Sequence, residues 1–451
     1  MIKVMKFGGT SLGGVEAIER TASIISRESA KKVVVVSAMS GVTNSLINGL
    51  RERRPISDII GDLRERYLTC ANSILGTDPL DQYGQELNLS LDDLRRAMEA
   101  RYEFEIDHVL DDTISSWGER LSSLTMAHVL RAREIESVPL SSERAGIVAE
   151  GQPGNGSANL KETHRNLQQT VVPLLQQGIT PIVTGYYGCD VEGRPLTFGR
   201  GGSDYSSSVI AYGIDANCCE IWTDVNGFMT ADPRAVPSAK SIEEMDYNEA
   251  AELAYFGAKV LHPRTIEPVR RKGIPLVVKN SFDPDARGTI IRGQRINGGV
   301  TLRSVAVKSD LSIVKVYSSE IVYQPGLISR LVGVISDAAV NSYAVSTSLS
   351  TLAMVIPSTA AEEVKRRIDA LNEPQVEKVS VKSKISLICC VGDNLLNTPG
   401  VSARVFAKVA EVDANIELIS EGASDVALNF MVPSEKAQDV VRAIHNAFIG
   451  G

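Results

Sequence analysis

Lys6-Phe7-Gly8-Gly9-Thr10-Ser11 closes the first short β-branched run, Ile2 to Phe7, and hands the chain to a helical pattern. A strand that runs into paired glycines and then a helix is the joint from which a parallel sheet covered by helices is built. The same joint recurs. Runs at Lys32 to Val36, Thr180 to Thr184, Glu220 to Thr223 and Leu276 to Lys279 alternate with helical stretches, and several lead directly into clusters of Gly, Ser, Thr and Asp. Ligands of such sheets bind where the strands end, so polar chemistry is expected along one sheet edge.

Between about Ser57 and Leu130 the pattern turns helical, with Ile59, Ile60, Leu63 and Tyr67 and then Leu91, Leu94, Met98 and Tyr102 at helical spacing. This reads as a helical insertion that covers one side of the site or meets another subunit. The α/β pattern ends near Asp285-Ala286-Arg287-Gly288, and the glycine-rich stretch Gly293 to Gly299 reads as a linker. An internal repeat follows. Pro325-Gly326-Leu327 aligns with Pro399-Gly400-Val401 at an offset of 74, pairing Arg330 with Arg404 and Asn341 with Asn415, and Pro357 matches Pro433 at an offset of 76. Each copy has the βαββαβ order of a ferredoxin-like unit. A purely structural dimerisation module is the plain alternative.

The 451 residues are enough for several domains at roughly 100 to 200 residues each. A hydrophobic fraction of 43% and a charged fraction of 23% exclude a disordered or fibrous chain. With 55 acidic against 47 basic residues and no long block of like charge, nucleic acid is not an expected partner. The six cysteines form no CxxC, and no apolar run approaches the roughly 18 residues of a membrane span, so a cytoplasmic protein with reduced thiols is expected.

Four segments carry chemistry. In the first, paired glycines bring backbone N–H groups close to a phosphate and Lys6 can meet the γ-phosphate, although the same residues also make an ordinary helix start. Walker A and the protein-kinase signatures are absent. The second, Phe198-Gly199-Arg200-Gly201-Gly202-Ser203-Asp204, sets a cation and a carboxylate around three glycines. It could hold a carboxylate through Arg200, or simply be a turn capped at Ser203 or Asp204. The third runs from Ile221 through Thr223 and Asp224 to Asp232-Pro233-Arg234 and reads as a nucleotide-edge loop. The fourth, Phe256 to Pro263, adds Lys259 as a further phosphate cation and holds His262, whose plain role is to support the Lys259 loop.

Together with Ser37 to Asn44 and the Gly118-Glu119 pair, these segments resemble the amino acid kinase superfamily and, within it, the aspartate kinase family. The motifs stand in the family's order over essentially the whole chain. The resemblance implies an α/β three-layer sandwich with a mainly parallel central sheet at 1–292, including the helical insertion at about 45–130. A linker at 293–303 and two α+β ferredoxin-like ACT domains at 304–382 and 383–451 would follow, although in the family one ACT unit is formed partly from chain on either side of the other, so the sequential repeat need not be the spatial boundary. It implies Mg2+-dependent transfer from ATP to the β-carboxylate of L-aspartate, the first step toward lysine, threonine and methionine. Another amino acid kinase, acting on glutamate, and an inactive amino-acid sensor are the alternatives. The sensor is expected to have lost Lys6, Asp204 or Lys259, and all three are present.

Carried over residue by residue, the resemblance places Lys6, Phe7, Gly8, Gly9, Thr223, Asp224, Met229, Arg234, Lys259 and Val260 at the nucleotide, with Met229 replacing a common aromatic. Ser37, Thr43, Glu119, Arg200, Gly201, Gly202 and Ser203 would hold the amino acid. Glu119 would take its ammonium and Arg200 its α-carboxylate, while Lys6, Asp204 and Lys259 would act on the phosphoryl group in flight. No protein ligand to the metal is evident. An amino-acid effector at the ACT domains and a homodimer or dimer of dimers are implied. Lysine-inhibited members carry acidic residues in the segment matching Ser342 to Ser350, which has none here, leaving threonine, another effector or little feedback open. The family includes fusions to homoserine dehydrogenase, and a chain stopping at Gly451 is expected to carry the kinase alone.

Overall fold

The computed structural model describes residues 1–257, 260–293, 302–395 and 398–450. Lys259 and most of the expected linker, 294–301, lie outside the described residues. The chain forms two compact units that interleave in sequence. Met1–Phe228, Ser241–Ala250 and Lys259–Arg295 make the first, and Met229–Lys240, Ala251–Ala258 and Ile296–Gly451 make the second.

The first unit is built on an eight-stranded sheet in the order Glu244–Met245, Thr289–Ile291, Leu276–Asn280, Cys218–Thr223, Ile2–Phe7, Lys31–Val36, Thr180–Thr184, Ser137–Leu140. Every neighbouring pair is parallel except Leu276–Asn280 with Thr289–Ile291. The central strands explain why. Lys31–Val36 opens with two lysines and then buries four successive valines, a run that has no polar face and must be covered on both sides. The helix Val15–Arg27 supplies part of that cover through Ile18, Ala22 and Ile25, one stripe at helical spacing. The expected insertion is the helices Val42–Arg51, Ile56–Ile74, Thr77–Tyr102, His108–Ser115 and Trp117–Arg131. Their apolar stripes, such as Tyr83, Leu87, Leu91, Leu94 and Met98, join the same core as Phe7 and Val36.

The second unit is one antiparallel sheet in the order Ala344–Thr347, Thr351–Pro357, Ser304–Tyr317, Lys378–Val391, Ala427–Pro433, Leu418–Ser420. Its two central strands are each 14 residues long and pair from Ser304 opposite Val391 to Tyr317 opposite Lys378. The register shifts between Lys308 and Ile313, where Asp310 and Lys384 adopt φ of 62° and 59°, so the ladder is bulged at mid-length. Two cores form on either side of the bulge. Val314 and Val316 pack with Leu331, Met354 and Val364, whereas Val305 packs with Ile388, Val405, Phe430 and Val440. The two lobes therefore share both long strands, and the lobe with the later helices begins at residue 304. A repeat cut between 382 and 383 cannot show this, because each lobe needs half of each strand to complete its sheet. No helix among the described residues is long and apolar enough to cross a membrane.

Candidate active site

Parallel register sets the site. Lys6 lies beside Val35 and Ile221, and Phe7 beside Val36 and Trp222, so the three strands end level and present Gly8, Ser37 and Thr223 at one edge. Phe7 stacks on Trp222 with ring centroids 5.8 Å apart and planes 15° apart, anchoring the strand end. Strand alternation turns Lys6 to the opposite face, where its ammonium lies 2.5 Å from an Asp204 carboxylate oxygen. Lys6 is only 8% exposed, and the paired anion offsets part of the cost of burying it.

Asp204 stands in the first turn of the helix Gly202–Gly213, which starts from Gly201 at φ 73°. A side chain at 201 is excluded twice: its backbone is left-handed, and a Cβ there would lie 2.3 Å from the Cβ of His262. Arg200 is exposed on the same loop, and Ser203 packs against Gly185.

Glu119 enters from a third direction, in the first turn of Trp117–Arg131, and is 3% exposed. Burial pushes its carboxyl up to about 8, opposed by hydrogen bonding to the Ala38 backbone and its own and by the Lys6 charge. Its Oε2 is buried without a hydrogen-bond partner among the described residues. Leaving such an acceptor unmatched costs roughly 1–3 kcal/mol, which makes it a ready partner for a cationic N–H donor. The preceding glycine sets its position, since a Cβ at Gly118 would lie 2.5 Å from the Cβ of Ala38. Gly118→Val is expected to destabilise the protein by about 1–3 kcal/mol in urea unfolding and to displace Glu119.

Around these three groups, the Ser37 N–H donates to the Phe7 carbonyl at 3.1 Å, and Thr43 is half-buried in the first turn of Val42–Arg51. The Thr223 hydroxyl donates to exposed Asp224 at 3.2 Å, and Val260 is half-buried. Met229 and Arg234 belong to the second unit, where Arg234 pairs with Asp232 at 2.6 Å. Lys259 lies outside the described residues.

Two further residues are not legible as site residues in the sequence. Tyr186, just past the strand Thr180–Thr184, holds φ at 76°, and its carbonyl accepts from the Phe198 N–H at 2.8 Å. An aromatic following a strand-end glycine is the only sequence signal for it. Asp112 is a buried carboxylate that accepts from the Thr197 N–H and hydroxyl at 2.8 Å and from the Gly154 N–H at 2.9 Å, tying the strand before the loop 198–204 to a neighbouring hairpin. A cavity of about 600 Å3 opens beside Tyr186, Asp112 and Thr197, but none of the expected site residues lines it. Several of its charges are already matched, Arg101 with Asp111 at 2.6 Å and Asp112 as above. The candidate site at Lys6, Asp204 and Glu119 is separate from this hollow, which none of the three lines.

The sequence matches the profile of the amino acid kinase family over residues 1–280 and that of an ACT domain over 388–448. It is 30% identical to the lysine-sensitive aspartokinase 3 of Escherichia coli over 458 residues, covering 99% of this chain and 98% of that one. It is 29% identical to a bifunctional aspartokinase/homoserine dehydrogenase of Haemophilus influenzae, of which it covers 56%. The chain thus spans about half the length of the bifunctional relatives it matches. The fold superposes on E. coli aspartokinase III in complex with aspartate and ADP, in the R-state, with a TM-score of 0.84, 28% identity and full coverage of both chains. The T-state of that enzyme, in complex with lysine and aspartate, gives 0.83 at 29% identity, covering 99% of each chain.

Proposed function

The chain belongs to the amino acid kinase family, and from that membership we propose that it is an aspartate kinase, moving the γ-phosphoryl group of ATP to the β-carboxylate of L-aspartate. The observation that carries this reading is the buried Glu119 oxygen without a partner among the described residues, in a site that also holds a buried lysine paired to a carboxylate. A small amino acid offers one ammonium and, in aspartate, two carboxylates. Glu119 accepts from the ammonium, Arg200 takes the α-carboxylate through its fork, and the side-chain carboxylate is left facing Lys6. The relative of known structure that binds aspartate and ADP together supports the pairing of these two ligands.

Phosphoryl transfer of this kind needs positioning and charge compensation more than covalent help. Lys6 leaves its pairing with Asp204 to meet phosphoryl oxygens as charge develops, and Asp204 keeps the ammonium aimed until then. Thr223, Asp224, Lys259 and Val260 complete the nucleotide side in this reading, with Phe7, Gly8 and Gly9 against the phosphates. No group of three or more His, Cys, Asp or Glu side chains among the described residues is placed to hold a metal ion. Mg2+ would arrive on the nucleotide phosphates and would supply screening of their charge.

Acceptor binding should release a proton. Glu119 is largely protonated below about pH 8 in the ligand-free protein and must ionise to pair with an ammonium. Affinity for L-aspartate is therefore expected to rise between pH 6 and 8 and then level off. Calorimetry of L-aspartate binding in two buffers of different ionisation enthalpy reads the proton directly. Binding without proton release and without pH dependence would remove Glu119 from the acceptor site.

The second unit is read as an ACT pair that binds an amino-acid effector where two subunits of a homodimer meet. The strand Ala344–Thr347 and its flanks present Val345, Leu349 and hydroxyl side chains to the surface and no carboxylate. Such a segment gives a lysine ammonium no counter-charge, so an effector with a neutral side chain is favoured. Suppression of turnover by threonine, methionine or lysine identifies it.

A further inference from the structure

Arg264, two residues beyond His262, sits in a short 3-10 turn, Pro263–Thr265. Its guanidinium donates to three neutral acceptors on two separate segments. One nitrogen reaches the Phe198 carbonyl at 3.1 Å, and the other reaches the Gly156 carbonyl at 2.6 Å and the Ser157 hydroxyl at 2.8 Å. The plane also lies 4.9 Å from the ring centroid of Tyr205, on the helix that carries Asp204. Tyr205 in turn packs edge-on against Phe198 at 5.1 Å and accepts from the Ala158 N–H at 3.2 Å. No carboxylate among the described residues lies within ion-pair distance of Arg264, so its charge is spent on holding backbone.

The segments it joins border Gly199 to Ser203 on both sides. The hairpin strand Asn155–Ala158 lies on one side, and the start of the helix Gly202–Gly213 lies on the other. From beneath, the His262 Cβ occupies the space beside Gly201, and His262 Nδ1 accepts from the Arg264 N–H at 3.3 Å. His262 and Arg264, at the cap and in the middle of one turn, therefore hold both the backbone entering the loop and Gly201 within it.

The geometry points to Arg264 as a positioning residue for the acceptor: its fork holds the Phe198 end of the loop so that Arg200 meets the substrate carboxylate at a fixed angle. This rests on the reading of Arg200 as the carboxylate partner. A lysine cannot replace the fork, because one ammonium cannot span Phe198 and Gly156 in the required plane.

Arg264→Lys keeps the charge and the stem, and Ser157→Ala removes one acceptor only. KM and kcat for L-aspartate and for Mg-ATP are measured in the full chain. The expected result for Arg264→Lys is a loss of roughly ten- to a hundredfold in kcat/KM for aspartate, mostly through KM, with KM for Mg-ATP within about twofold. Ser157→Ala moves the same constant in the same direction by less. Parallel loss for both substrates, or an unchanged KM for aspartate, would overturn the assignment.

Amide hydrogen exchange of the ligand-free proteins separates the clamp from the function. Faster exchange confined to 154–158 and 198–204 in Arg264→Lys is expected, and unchanged exchange there overturns the clamp. Should the wild type turn over no aspartate, the acceptor reading fails with it, and exchange alone then decides whether Arg264 holds the loop.

Discussion

Lys6→Ala is expected to lower kcat by roughly 10² to 10³ while changing KM for aspartate little, the signature of an interaction that strengthens in the transition state. Lys6 is delivered by the end of a central strand, 8% exposed and 2.5 Å from Asp204, so its position does not depend on a mobile loop. Its removal also leaves a largely buried Asp204 carboxylate without its cation. Breaking a fully buried pair costs about 3–5 kcal/mol, and the 15% exposure of the Asp204 side chain reduces that here. Lys6→Ala/Asp204→Asn separates the two effects. The double variant should recover thermal stability and remain catalytically impaired. Near-normal turnover in Lys6→Ala would remove Lys6 from the mechanism.

Glu119→Gln is expected to weaken acceptor binding by about 2–5 kcal/mol, roughly 30-fold to several thousandfold in KM. Part of the gross interaction is spent in the wild type, because ionising a carboxyl held at about 8 costs about 1.4 kcal/mol at pH 7. The stability effect has the opposite sign. The folded carboxyl sits above its ordinary value of 4.5, so the unfolded chain binds fewer protons between about 4.5 and 8, and wild-type stability falls as pH rises through that window. Glutamine mimics the protonated acid and removes this decline. Melting curves at pH 5 and pH 8 should therefore show the variant gaining on the wild type at the higher pH, while its KM for aspartate no longer falls with pH. A variant that binds aspartate normally would sink the assignment.

Much of the fold is legible because its signals are local. The valine run of Lys31–Val36 and the glycine pairs after Phe7 and Gly199 announce a parallel sheet with loops at its strand ends, and that sheet is present. The internal repeat is equally legible as matched helices, Leu327–Asp337 with Val401–Glu411. What the sequence does not reveal depends on distant partners. The resemblance implies that one ACT unit draws chain from both sides of the other, but only pairing shows how: the two halves of each 14-residue strand serve different cores. Asp112 meets Thr197 across 85 residues, and Arg264 meets Gly156 across 108. Without those contacts each is one more charged residue. Glu119 is an intermediate case: its helix is legible from spacing, its candidate role came only through the family resemblance, and its burial and unmatched oxygen came from the structure. Met229 and Arg234 follow the strand Cys218–Thr223 closely in sequence, yet their segment packs into the second unit through Ala231 and Val236.

The most direct test is ADP release from Mg-ATP with L-aspartate, with L-glutamate and with no acceptor, run with hydroxylamine to trap an acyl phosphate. An aspartate kinase releases ADP only when aspartate is present and yields aspartyl hydroxamate in step with it. Release with glutamate alone, or no acceptor-dependent turnover at all, would contradict the account.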